Sequence, residues 1–158
     1  MDKPTLYIET SVVSYLAADR SGHPVTAANQ RLTHEWWNTR RHDYALFTSE
    51  TVLQEAADGD PNMAARRMTL LAGSELLLPL PGVSVLASEI QARIKLPPRA
   101  ITDTLHVAFA AVYNVGYLLT WNCKHIANPA LKPQLLQACR LRGFELPVLC
   151  TPKDLLRG

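Results

Sequence analysis

Apolar positions along the chain follow two periods, and the switching between them predicts alternating strands and helices. Short, largely apolar runs, the form taken by strands buried on both faces, occur at residues 6–8, 43–47, 75–80 and 117–120, with a short edge strand at 147–150. Between them, apolar residues spaced three and four apart predict amphipathic helices over 11–18, 25–41, 50–57, 62–72, 83–95, 99–113 and 129–142. Breakers separate these segments: Asp58-Gly59-Asp60-Pro61, Pro81-Gly82, Leu96-Pro97-Pro98, Asn114-Val115-Gly116 and Gly143. No repeat, low-complexity tract or linker divides the series. Residues 1–158 therefore read as a single α/β domain, with a central parallel sheet of four to five strands and helices on both faces.

The stretch Leu6-Tyr7-Ile8-Glu9-Thr10-Ser11-Val12-Val13 is the centre of this pattern. It is a buried strand that ends abruptly in a carboxylate and two hydroxyls, and Thr10 or Ser11 is expected to cap the following helix. Glu9 then stands at the carboxyl end of the first strand, the edge where open α/β sheets gather ligands. Thr48-Ser49 followed by the helix at 50–57 repeats the arrangement after the second strand. Taken alone, Glu9 is explained as well by the preference for acids at helix starts.

With 158 residues, 47% of them hydrophobic, the chain is large enough for one real core. The net charge of +2 neither requires nor excludes a nucleic-acid partner, since basic residues can still gather on one face. Three cysteines and no apolar leader argue for a reduced, cytoplasmic setting. No apolar run approaches the ~20 residues needed to span a bilayer, so no membrane association is expected. Trp36 and Trp37 are adjacent on one helix and so point about 100° apart, one toward the core and the other toward its edge.

Four polar side chains recur at equivalent places. Glu9 ends the first strand, Glu55 lies in the helix after the second, Asp103 opens the long helix and Asn122 follows the fourth strand. Each has an ordinary structural explanation, as a surface acid or a complement to a helix dipole. If the helices pack as the pattern suggests, the four are expected to converge on one edge of the sheet. Carboxylates so gathered repel unless a cation neutralises them, and oxygen donors of this kind suit Mg²⁺ or Mn²⁺. His106 shares a helix face with Asp103 but has apolar neighbours, which favours a buried, hydrogen-bonded histidine over a ligand. Cys123, His125, Cys139 and Cys150 match no zinc spacing and read as reduced core or loop residues.

The ordered segments Ile8-Glu9-Thr10-Ser11-Val12-Val13, Ser49-Glu50-Thr51-Val52-Leu53-Gln54-Glu55, Asp103-Thr104-Leu105-His106-Val107-Ala108 and Leu118-Leu119-Thr120-Trp121-Asn122 resemble the motifs of PIN-domain proteins, in particular the VapC-type toxins of bacterial toxin–antitoxin pairs. The resemblance implies a ribonuclease dependent on Mg²⁺ or Mn²⁺, acting on RNA, dimeric and neutralised by a cognate antitoxin. It implies that Glu9, Glu55, Asp103 and Asn122 are the catalytic, metal-holding set. Glu9 and Asn122 stand where the family usually has Asp, and Lys124 stands where a further acid often lies. Three formal negatives remain, from Glu9, Glu55 and Asp103. Thr10, Ser11 and Thr120 are candidate donors that orient the carboxylates, and Lys124 is a candidate phosphate contact.

The chain has neither a G-x-G-x-x-G after the first strand nor a G-x-x-x-x-G-K-[ST] loop, which sets aside the usual phosphate-cradling folds. The competing reading is a PIN-like RNA-binding or protein-binding module weakened in catalysis by Glu9 and Asn122. Arg66, Arg67, Arg93, Lys95, Arg99 and Lys124 would supply its basic surface.

Overall fold

The computed structural model describes residues 2–157. Five strands form one parallel sheet: β1 (Thr5–Ile8), β2 (Ala45–Ser49), β3 (Glu75–Leu77), β4 (Tyr117–Leu119) and β5 (Val148–Cys150), in the order β3-β2-β1-β4-β5. The apolar run at 6–8 takes the central place because both of its faces need cover; Leu6, Tyr7 and Ile8 are fully buried. The chain leaves β1 toward β2 and β3, then returns to pair β4 on the other side, with Tyr7 opposite both Phe47 and Leu118. That reversal opens a crevice beyond the carboxyl ends of β1 and β4, the switch point where ligands bind in such sheets.

The helices are α1 (Thr10–Ala17), α2 (Pro24–Thr39), α3 (Glu50–Ala56), α4 (Pro61–Leu71), α5 (Pro81–Ile94), α6 (Ile101–Val112), α7 (Lys132–Leu141) and α8 (Pro152–Leu156). They pack as two groups: α1 with α2 and α4, and α2 with α8; then α5 with α6 and α7. Helix α3 touches α1, α4 and α6, and so bridges the groups at the sheet's carboxyl edge. Asn114, in the left-handed region at φ 55°, ends the turn after α6. Just before β4, the Gly116 N–H bonds Thr5 Oγ1 at 2.8 Å and ties the start of that strand to β1.

The expected elements are all present, with shifted bounds. β2 runs two residues later than 43–47 because Arg41–Asp43 forms a single 3-10 turn. β3 stops at Leu77, and Leu78 and Leu80 are left exposed where a longer strand was expected. The last long helix begins at Lys132, since Pro129 to Leu131 are held in turns anchored on Asn128. Helix α8 was not expected; a capping box starts it, with Thr151 and Asp154 each bonding the other's backbone N–H. Trp36 is fully buried, while Trp37 is half-buried under the Arg41 guanidinium, 4.4 Å from its ring centre. No described helix is long and apolar enough to cross a membrane.

Candidate metal centre

Glu9 stands where β1 turns into α1. Its backbone N–H still bonds the Leu119 carbonyl of β4 at 3.1 Å, so the sheet itself carries the side chain to the crevice. The residue is only 5% exposed, and a carboxylate that secluded needs donors. Ser11 Oγ and Thr120 Oγ1 both donate to Glu9 Oε1, the latter at 2.6 Å. Each hydroxyl accepts a backbone N–H in turn, from Trp121 to Ser11 and from Asn122 to Thr120, both at 2.8 Å. Its one proton is thereby directed at the carboxylate. The expectation that Thr10 or Ser11 caps α1 is not met. Glu9 is the cap residue, no side chain caps the helix, and both hydroxyls serve carboxylates instead.

Glu55, in the last turn of α3, is held from two sides. Thr10 Oγ1 donates to its Oε1 at 2.5 Å, and His106 Nε2 lies 2.7 Å from the same oxygen. His106 is fully buried, as its apolar neighbours led us to expect, and its Nε2 also lies 4.0 Å from Glu9 Oε2. Its other nitrogen, Nδ1, is 2.8 Å from the Tyr7 hydroxyl, which is 2.7 Å from Ser49 Oγ. Ser49 also caps α3 by accepting the Val52 N–H. Ligand atoms of Glu9, Glu55 and His106 all lie within 4.8 Å of one another, forming the one such group of His, Cys, Asp or Glu among the described residues.

The electrostatics follow from this packing. Burial is the largest influence on His106 and would lower its pKa, but the Glu55 hydrogen bond and the charges of Glu9, Glu55 and Asp103 outweigh it and hold the imidazole above its ordinary value. Burial would raise Glu55, but the bond and charge of His106, with the Thr10 bond, bring its carboxyl below the usual range. Tyr7 is pushed well above the ordinary phenol value, chiefly by burial and further by the charges of Glu9 and Glu55.

Asp103 lies in the first turn of α6, near enough for its charge to act on His106, but its Oδ2 is 2.8 Å from His125 Nδ1. Asn122 follows β4, and its Oδ1 accepts the His125 N–H at 2.9 Å. His125 thus joins Asp103 and Asn122 and fastens the loop after β4 to α6. Trp121 fastens the same loop on the other side, stacked on Tyr15 and donating from Nε1 to Thr33 Oγ1 at 2.8 Å. Lys124 is exposed on this loop. Cys139 and Cys150 are buried, Cys123 is exposed, and none joins a metal-type group among the described residues.

Tyr7 and His125 are the members of the network that motif spacing did not single out, whereas Ser49, expected among the hydroxyls before the helix after β2, caps that helix and also bonds Tyr7. For Tyr7 a signal existed: a phenol in a strand buried on both faces must find a polar partner inside. His125 gave no comparable sign, because its partners lie on another element and on its own loop.

Solved structures similar to this one include two VapBC structures and one VapC toxin. VapBC2 from Rickettsia felis, bound to a DNA fragment from its promoter, matches with a TM-score of 0.59 over 93% of this chain and 98% of that one, at 11% identity. VapC20 of Mycobacterium tuberculosis, a toxin that cleaves the sarcin-ricin loop, matches with a TM-score of 0.59 over 89% and 96%, at 14% identity. VapBC-1 from nontypeable Haemophilus influenzae matches at 0.56 over 94% and 98%, at 12% identity. The chain has a PIN-domain fold. No protein-family model and no curated protein sequence matches it. The PIN fold thus covers nearly the whole chain, and Glu9, Glu55 and His106 lie at its switch point.

Proposed function

We propose that this chain is a metal-dependent ribonuclease of the VapC kind, which cleaves RNA phosphodiester bonds at the cluster around Glu9 and Glu55. The observation that carries this reading is the convergence of Glu9 and Glu55 with a buried imidazole at the carboxyl edge of a PIN sheet, each carboxylate steered by hydroxyl donors. The donor set suits a divalent ion. Two carboxylates this close repel, and Glu9 Oε1 is committed to two hydroxyls while Oε2 faces the gap beside His106. When bound, Mg²⁺ or Mn²⁺ would supply positive charge that polarises a phosphoryl oxygen and acidifies water.

The chain's own residues supply the positioning. Ser11 and Thr120 fix the Glu9 carboxylate, and Thr10 fixes that of Glu55. Asp103 adds the third negative charge from α6, while Asn122 and Asp103 hold the loop after β4 through His125. Lys124, exposed on that loop, is available to meet substrate phosphate. Lys95 and Arg99 are also exposed, but Arg66, Arg67 and Arg93 bond within the chain, to Asp19, to the Ala56 and Asp58 carbonyls, and to Glu89. The ion pairs of Arg66 and Arg93 reduce the net positive charge that those two residues bring to a basic face. By likeness to the VapBC complexes, an antitoxin protein is the proposed partner, homodimerisation the proposed assembly and the cytoplasm the proposed setting.

The test is cleavage of structured and single-stranded RNA with Mn²⁺ or Mg²⁺, with EDTA as control. Glu55→Gln keeps shape but removes charge, and we expect at least a hundredfold loss of cleavage with an unchanged circular dichroism spectrum. RNA binding without metal-dependent cleavage by the unmutated protein would instead support the non-catalytic module.

A further inference from the structure

His106 is more than a satisfied core histidine. Its Nε2 stands between two carboxylates, 2.7 Å from Glu55 Oε1 and 4.0 Å from Glu9 Oε2. Its Nδ1 is turned away from the crevice onto a hydroxyl chain formed by Tyr7 and Ser49. A histidine that ligates through one nitrogen characteristically has the other held by a hydrogen-bond partner that sets its tautomer. Asp103, by contrast, is bonded to His125 and lies outside the group of converging ligand atoms.

We propose that His106 Nε2 is a direct ligand of the divalent ion, together with Glu9 and Glu55, making a mixed nitrogen and oxygen centre that selects Mn²⁺ over Mg²⁺. This rests on reading the cluster as a metal centre. Ligation needs a lone pair on Nε2, hence the ring proton on Nδ1. The hydroxyl chain accommodates that form: Nδ1–H donates to the Tyr7 oxygen, and the phenol proton turns to Ser49 Oγ. With the proton on Nε2 instead, that N–H donates to Glu55 and the Tyr7 hydroxyl donates to Nδ1. Both forms carry the same number of protons, so Tyr7 serves either one without ionising. Selectivity follows from the donor: Mg²⁺ holds hard oxygen ligands and sheds water reluctantly, whereas imidazole nitrogen suits the first-row transition ions.

Pulsed electron paramagnetic resonance of the Mn²⁺-loaded full chain tests the ligation directly. The expected result is a coupling to nitrogen that changes to the ¹⁵N pattern when histidine is ¹⁵N-labelled and that disappears in His106→Gln. Calorimetric titration should show Mn²⁺ bound about a hundredfold more tightly than Mg²⁺ in the unmutated protein. His106→Gln, which offers an amide oxygen in place of the nitrogen, should reduce that preference about tenfold or more. Tyr7→Phe should weaken Mn²⁺ about tenfold through the lost tautomer partner. Mn²⁺ binding that is lost in Glu9→Gln and Glu55→Gln but shows no nitrogen coupling would overturn the ligand assignment and leave the carboxylate centre standing. Absence of Mn²⁺ binding by the unmutated protein would overturn the centre and the ligand together. If His106→Gln fails to fold, the labelled spectrum of His125→Gln decides: a nitrogen coupling that persists there supports His106, and one that is lost overturns the assignment.

Discussion

Asn122 shows how a single side chain can be occupied differently from what its place in a motif suggests. Its oxygen accepts the His125 N–H and so closes the turn after β4, the work of a helix cap done on a loop. Asn122→Ala should therefore cost about 1 kcal/mol in urea unfolding, while Asn122→Asp keeps the acceptor and remains near the original stability. The aspartate also raises the negative charge at the edge, so its Mn²⁺ affinity should rise in the same titration. The cysteines give an independent check on the packing. Burial pushes Cys139 up to about 11 and, with Asp154 adding to burial, Cys150 up to about 12. A thiol reagent at pH 8 should modify exposed Cys123 alone in the folded protein and all three after denaturation.

At the scale of elements, Glu55 and His106 tie α3 to α6 across the crevice, and the tie has a pH window. Glu55 lies below its ordinary value, so its contribution is present above the unfolded carboxyl value of about 4.3 and is lost as pH falls through the lower, folded value. His106 lies above its ordinary value, so its contribution is present below about 6.5 and is lost as pH rises through the folded value. With divalent ions removed, the melting temperature should be higher near pH 5.5 than near pH 8, and His106→Gln should flatten that difference. Ser49 is the other joint, since it caps α3 and bonds Tyr7. Substitution by Ala there loosens both helix and histidine.

For the whole molecule, an ion that binds only the folded chain must stabilise it. At a hundredfold excess over Kd the gain is about 2.7 kcal/mol. In a domain of this size that is roughly 5–10 °C of melting temperature. Thermal melts at pH 8 with Mn²⁺, and again after EDTA, should show the rise and its reversal. Glu9→Gln should abolish the rise without unfolding the protein, because an amide at that position can still accept the Ser11 and Thr120 hydroxyl bonds.

The α/β class, the parallel sheet, the order of the strands and main helices and the placing of Glu9 at a strand end were legible in the chain, because each depends on local periodicity and on turn residues next to one another in sequence. The burial of His106 was legible too, from the apolar face it shares. Other features depend on side chains that only folding brings together. From their position Thr10 and Ser11 could serve either as helix caps or as carboxylate donors; the approach of Glu55 and the placement of Glu9 decided for the second. Tyr7, Ser49 and His106 are far apart in the chain, and no spacing rule links hydroxyls on two strands to a ring on α6. The sequence by itself determined which residues could form an acidic edge. The tertiary structure decided which of them meet, drawing Asp103 to His125 and placing His106 between Glu9 and Glu55, because hydrogen bonds between elements depend on packing and not on distance along the chain.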